Sequence, residues 1–142
     1  MTEKILLVDD EKEFVDTLAE RMETRGMNVE TTTSPKTALE LVERESYDAV
    51  ILDLQMPEMN GLEALKILKE KRPELQVILL TGHATVEKGI EAMKLGALDL
   101  VEKPAELSVL TEKIQKAQAK KMILVEKKAE EKIKSIMMTK SW

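Results

Sequence analysis

The chain contains no cysteine. Disulfides, thiol nucleophiles and thiolate metal sites are excluded, and the composition suits a reducing cytosol, the expected location. Aromatic residues make up only 2% of the 142 positions, one Phe, one Tyr and one Trp. The core must therefore be aliphatic, with nine Met as flexible filler. Long apolar runs are missing as well. Ile5 to Val8 is too short for a signal-peptide core, and no segment approaches membrane-spanning length. Positive charge is not in excess. The net charge of −5 speaks against direct nucleic-acid binding, which needs a basic face. Hydrophobic residues, at 43%, suffice for one domain of ordinary size.

The stretch that organises the chain is Asp48-Ala49-Val50-Ile51-Leu52-Asp53-Leu54-Gln55-Met56-Pro57. An apolar run ends in a carboxylate, and turn residues follow at Pro57 and Asn60-Gly61. Such a run reads as a strand buried on both faces, with Asp53 at its carboxyl end. In open α/β sheets that edge is where ligands bind.

The rest of the chain repeats the pattern. Ile5 to Val8 is a second apolar strand ending in Asp9-Asp10-Glu11. Phe14, Val15, Leu18, Ala19 and Met22 follow at helical spacing, and Gly26 ends that helix. Asn28 to Thr33, rich in β-branched residues, predicts an edge strand. Ser34-Pro35 predicts a helix start, with an N-cap and a proline at the first helical position. That helix runs to about Glu45 and buries Ala38, Leu39, Leu41 and Val42. A helix from near Leu62 to Lys71 is stopped by Pro73. Gln76 to Leu80 predicts a strand ending in Thr81-Gly82-His83. A helix from about Thr85 to Leu95 presents Val86, Ile90 and Met93 and closes at Gly96. Ala97 to Val101 predicts a fifth strand, followed by Glu102-Lys103-Pro104. From Ala105 to Trp142 there is neither glycine nor proline, and the segment reads as helix. Strands alternating with amphipathic helices imply a parallel sheet covered on both faces.

Four strands thus end in Asp9-Asp10, Asp53, Thr81 and Lys103, all along one sheet edge. Three carboxylates brought together repel one another. A divalent cation removes that conflict, and oxygen ligands suit Mg²⁺. Lys103 adds a point positive charge, Thr81 a hydroxyl, and the next amide, Gly82, a donor. That set suffices for phosphoryl transfer to the Asp53 oxygen, which needs mainly positioning and charge neutralisation. Two other chemistries fit less well. A flavin-phosphate site needs a hydroxyl- and glycine-rich loop after the first strand, where this chain has three acids. A phosphatase with paired aspartates needs an acid where Gln55 stands.

These residues resemble the receiver domain of two-component response regulators. The matching pieces are Leu7-Val8-Asp9-Asp10-Glu11, Leu52-Asp53-Leu54-Gln55-Met56-Pro57 with Gly61, Leu80-Thr81-Gly82-His83, and Lys103-Pro104. Leu80 to Pro104 looks most like receivers of the nitrogen-regulatory, sigma-54-activator class, here without an output domain. The resemblance implies a flavodoxin-like (βα)5 doubly wound parallel sheet of order 2-1-3-4-5 with an extended C-terminal helix. It implies a signalling receiver and not an enzyme, with Asp53 as phosphoacceptor for a sensor histidine kinase or phosphotransfer protein. Mg²⁺ would be held by Asp9, Asp10, Asp53 and the backbone carbonyl of Gln55. Thr81, Gly82 and Lys103 would contact the phosphoryl group, and Lys103-Pro104 would be cis. Gln55 and His83 would modulate the rate of dephosphorylation. One position departs from the family. Where Tyr or Phe usually stands three residues before the lysine, this chain has Leu100, which offers neither aromatic edge nor hydroxyl.

Residues 1–119 are read as the receiver and 120–142 as a helical extension. Leu107, Leu110, Ile114 and Ala117 should pack on the sheet. An apolar stripe of Met122, Val125, Ala129, Ile133 and Ile136 continues beyond it, with Ile123 and Leu124 off the stripe. Glu112–Lys116 and Glu130–Lys134 are favourably spaced pairs. The output expected is protein–protein: a downstream partner, or a homodimer through this helix. The alternatives are a receiver fragment of a larger transcriptional activator and a dimerisation module controlled by phosphorylation.

Overall fold

Strand alternation decides which side of the sheet each apolar residue serves, and both sides are filled. The computed structural model describes residues 2–139. The strands are β1 (Lys4–Val8), β2 (Asn28–Thr32), β3 (Ala49–Asp53), β4 (Val77–Thr81) and β5 (Asp99–Glu102). The helices are α1 (Lys12–Thr24), α2 (Pro35–Arg44), α3 (Gly61–Lys71), α4 (Val86–Lys94) and α5 (Leu107–Thr139). All strand pairs are parallel, in the order β2-β1-β3-β4-β5. Leu6, Val8, Val50 and Leu52 face α2, α3 and α4 through Ala38, Val42, Leu65, Leu68 and Ala92. Ile5, Leu7, Ile51, Ile78 and Leu80 face α1 and α5 through Val15, Leu18, Met22, Leu110 and Ile114. The chain has the doubly wound receiver-like architecture that the sequence implies.

Local signals act where the sequence places them. Ser34 accepts from the Thr37 amide and precedes Pro35 at the start of α2. Asn60 and Thr85 cap α3 and α4 in the same way. Gly26 and Gly96 adopt φ of 87° and 96° just past α1 and α4, a region that side chains disfavour. Gly61 has a different reason. A Cβ there would lie 2.5 Å from the Leu54 Cα and 2.7 Å from the Asp53 carbonyl oxygen. Its own amide donates to the Leu54 carbonyl at 2.9 Å, closing the loop that follows Asp53. We expect Gly61→Ala to destabilise the fold by about 1–3 kcal/mol, the usual range for overpacking. Thermal melts check this, and an unchanged melting temperature would contradict it.

Several elements differ from the sequence reading. α4 turns the apolar face of Val86, Ile90 and Met93 outward, at 80, 52 and 53% exposure. It seats on the sheet by Ala92, whose small side chain allows close approach. Periodicity identifies a helical face but not which face is covered. β5 starts at Asp99, because the Ala97 amide still bonds back to Ala92 in α4. α5 begins at Leu107, two residues later than read, and the reading of helix at residues 140–142 lies outside the described residues. In α2, Ala38 and Val42 are buried while Leu39 and Leu41 are only half-buried.

Within α5, Leu110, Ile114 and Ala117 pack on the sheet as expected, with Leu107 at its edge. The line then continues through Lys121, not through the apolar stripe. The Lys121 ammonium donates to Ser46 Oγ at 2.6 Å and to the Tyr47 carbonyl at 2.8 Å, pinning α5 to the turn before β3. Glu112 and Lys116 pair at 3.7 Å. No helix among the described residues is long and apolar enough to cross a membrane.

Candidate functional site

Parallel strands bring their carboxyl ends to one edge, and the polar residues after β1, β3, β4 and β5 meet there. Asp9 follows β1 and is buried, and Asp10 beside it is exposed. Asp53 ends β3 and Thr81 ends β4, both buried. A carboxylate oxygen from each of Asp9, Asp10 and Asp53 lies within 4.8 Å of the others. Lys103 reaches in from the end of β5. Its Nζ stands 2.7 Å from Asp9 Oδ2, 3.7 Å from Asp53 Oδ1 and 3.6 Å from Glu11 Oε1.

The electrostatics follow from burial and crowding. Burial, reinforced by the negative charge of Asp9, pushes the Asp53 carboxyl up to about 7. The Gln55 amide, donating to Asp53 Oδ1 at 3.3 Å, and the Lys103 charge act in the opposite direction. For Lys103, burial would lower the ammonium's pKa, but Asp9, Asp53 and Glu11 outweigh it and hold it raised. The Phe14 ring lies under that ammonium, 4.5 Å from its centroid. Asp9 Oδ1 accepts from the Glu11 amide at 2.9 Å. Asp9 Oδ2 is buried, and the Lys103 ammonium 2.7 Å away is its only partner among the described residues. A buried carboxylate oxygen served by a single ammonium, next to two more carboxylates, fits a hard cation.

The other predicted residues sit around this centre. Thr81 Oγ accepts from the His83 amide at 3.2 Å and donates to the His83 carbonyl at 3.3 Å. Gly82, His83 and Gln55 are exposed beside it. The Lys103–Pro104 peptide is cis. Leu100 pairs with Leu79 in β4 and packs with the α2–α3–α4 side of the core, next to Gly89 of α4. An open cleft beside the site is lined by Asp10, Leu54, Gln55, Met56, Pro57 and Asn60.

Two contributors were not legible as site residues. Phe14 reads as one more apolar position of α1, yet it lies against the Lys103 charge. Glu102 reads as part of a turn, yet its carboxylate accepts from the Ala84 amide at 2.9 Å. With Lys88 donating to the His83 carbonyl at 3.0 Å, it holds the loop after Thr81. Neither role has a periodic or spacing signal.

Comparison with known proteins agrees with this fold. The family model for the response regulator receiver domain matches residues 5–115. The photosynthetic apparatus regulatory protein RegA of Rhodobacter capsulatus is 35% identical over 107 residues, 75% of this chain and 58% of that protein. A putative NtrX-like response regulator of Rickettsia bellii is 37% identical over 102 residues, 70% of this chain and 21% of that protein. The chain thus spans little more than half of one relative and a fifth of the other. A response regulator structure from Burkholderia pseudomallei, with a phosphorylated aspartic acid, calcium ion and citrate, superimposes with a TM-score of 0.75. It is 27% identical and is aligned over 90% of this chain and 74% of that one. Five parallel strands in the order β2-β1-β3-β4-β5, acids at the ends of two of them, a lysine at the end of a third and a family match over 5–115 lead to one conclusion: the chain belongs to the response regulator receiver domain family.

Proposed function

We propose that Asp53 accepts a phosphoryl group from a sensor histidine kinase or phosphotransfer protein, with residues 1–119 as the receiver and 120–142 as an extension. The observation that carries this reading is the convergence of Asp53 with Asp9, Asp10 and Lys103 at one sheet edge. Asp9, Asp10, Asp53 and the Gln55 carbonyl would hold Mg²⁺. When bound, the ion neutralises acid repulsion and offsets charge on the phosphoryl oxygens.

The transfer balances simply. An Asp53 oxygen attacks phosphorus, one P–O bond forms, and the P–N bond to the donor imidazole breaks. The departing nitrogen keeps the electron pair and takes up a proton in the donor. Lys103 turns its ammonium to the incoming oxygens, and the Thr81 hydroxyl and Gly82 amide supply further donors. To do so, Thr81 must leave its bonds to His83, and the loop held by Glu102 and Lys88 must shift. Water attack on the acyl phosphate reverses the state, with Gln55 and His83 flanking its approach. The only reactions catalysed are this self-phosphorylation and its reversal. The site is cytoplasmic, and signalling proceeds by protein contact, not by direct contact with nucleic acid or membrane.

The test uses a small acyl phosphate as donor. With Mg²⁺, intact-mass spectrometry should show a gain of one phosphate, and a chelator should abolish it. No gain at saturating donor and metal would overturn the proposal.

A further inference from the structure

Lys103 has three anionic partners and one neutral one. Its ammonium stands 2.7 Å from Asp9, 3.6 Å from Glu11 and 3.7 Å from Asp53, and 4.5 Å from the centroid of the Phe14 ring. Phe14 lies in the first turn of α1, just after the acids that follow β1. Its side chain packs against the α1–α5 side of the core, so the fold and not the ammonium sets its position. The Lys103 side chain is only 15% exposed, and there water dilutes the pull of a ring face on a cation less than at a surface. Tyr47, the other aromatic residue among those described, stands before β3, at the amino end of that strand, and bonds to Glu30 and Glu45. Among the described residues Phe14 is therefore the one aromatic side chain at the site.

The two kinds of partner differ once the site is in use. When Asp9 serves a divalent cation, the charge that holds Lys103 most closely is neutralised. When Asp53 carries a phosphoryl group, a second anchor is changed. Glu11 remains, but its side chain is 67% exposed and draws the ammonium outward into water. The ring face has no net charge to be neutralised. Its attraction comes from the ring quadrupole and persists while the acids are occupied.

We propose that the Phe14 ring is the seat of the Lys103 ammonium, a positioning residue that keeps this charge turned to the phosphoryl group after Asp9 and Asp53 are engaged. The role rests on Asp53 being the phosphoacceptor.

The chain contains a single phenylalanine, so growth on a fluorinated phenylalanine alters position 14 alone. Each added fluorine withdraws electron density from the ring face while nearly keeping its shape. With Mg²⁺ and a small acyl phosphate, the rate of phosphate uptake should fall stepwise through mono-, di- and trifluorophenylalanine, to about one-fifth of the parent's. Phe14→Leu, apolar but without a ring, should fall about as far. Phe14→Tyr, which keeps the ring, should stay within about twofold of the parent. Metal-free melting supplies a second readout that needs no phosphoryl transfer. Fluorination should lower the melting temperature of the parent more than that of Lys103→Met, because only the parent places an ammonium over the ring. Equal shifts in the two backgrounds would overturn the proposal. Uptake by the parent at a rate that ignores fluorination would overturn the role of Phe14 alone. A parent that takes up no phosphate would overturn the reading of Asp53, and this role with it.

Discussion

Asp53→Asn is expected to abolish phosphate uptake and, without metal, to make the protein more stable. The substitution keeps shape and removes a charge. In the folded chain Asp53 titrates near 7, pushed up by burial and by Asp9; unfolded, an aspartate titrates near about 4. Between these values the folded state holds the proton that the unfolded state has released. Stability from this group is therefore fully present below about pH 4 and is lost as pH rises through about 7. The site opens to water on one side and Lys103 lies nearby, so we expect about 2 kcal/mol, less than the full shift implies. Asp53→Asn should flatten that pH slope and raise the metal-free melting temperature at pH 8 by about 6 °C. Mg²⁺ should flatten the slope in the parent as well, and chelation should restore it. Identical melting curves for parent and variant from pH 4 to 8 would contradict this.

Asp10→Asn is expected to lower Mg²⁺ affinity at least about tenfold, about 1.4 kcal/mol. Asp10 is the exposed member of the triad, so its loss leaves the core intact while removing one charged oxygen ligand. Glu112→Gln, on the outer surface of α5, should leave the affinity unchanged. Calorimetric or fluorescence titration reads both. Equal affinity for parent and Asp10→Asn would remove Asp10 from the metal shell.

The sheet and the site centre were legible in the sequence for a shared reason. Strands buried on both faces are continuous apolar runs, and the residue that breaks each run must lie at the sheet edge. Asp9, Asp53, Thr81 and Lys103 are such break points, so finding the strands located them. What the sequence hid depends on relations between elements. Val86, Ile90 and Met93 have helical spacing, but the buried residue of α4 is Ala92, and spacing cannot choose between the two faces. Phe14 meets Lys103 across 89 positions of chain, and Glu102 meets Ala84 across 18. The stripe on α5 is visible as a pattern. Its turn away from the core line shows only once Lys121 is seen holding the turn before β3.

The most direct measurement is the position of the phosphoryl group. Borohydride cleaves an acyl phosphate on aspartate reductively and leaves homoserine at that position. After phosphorylation with Mg²⁺ and reduction, tandem mass spectrometry of the peptides should find homoserine at position 53 and nowhere else, and none in Asp53→Asn. Homoserine at position 9 or 10, or phosphate uptake by Asp53→Asn equal to the parent's, would show that the carboxylate ending β3 is not the acceptor.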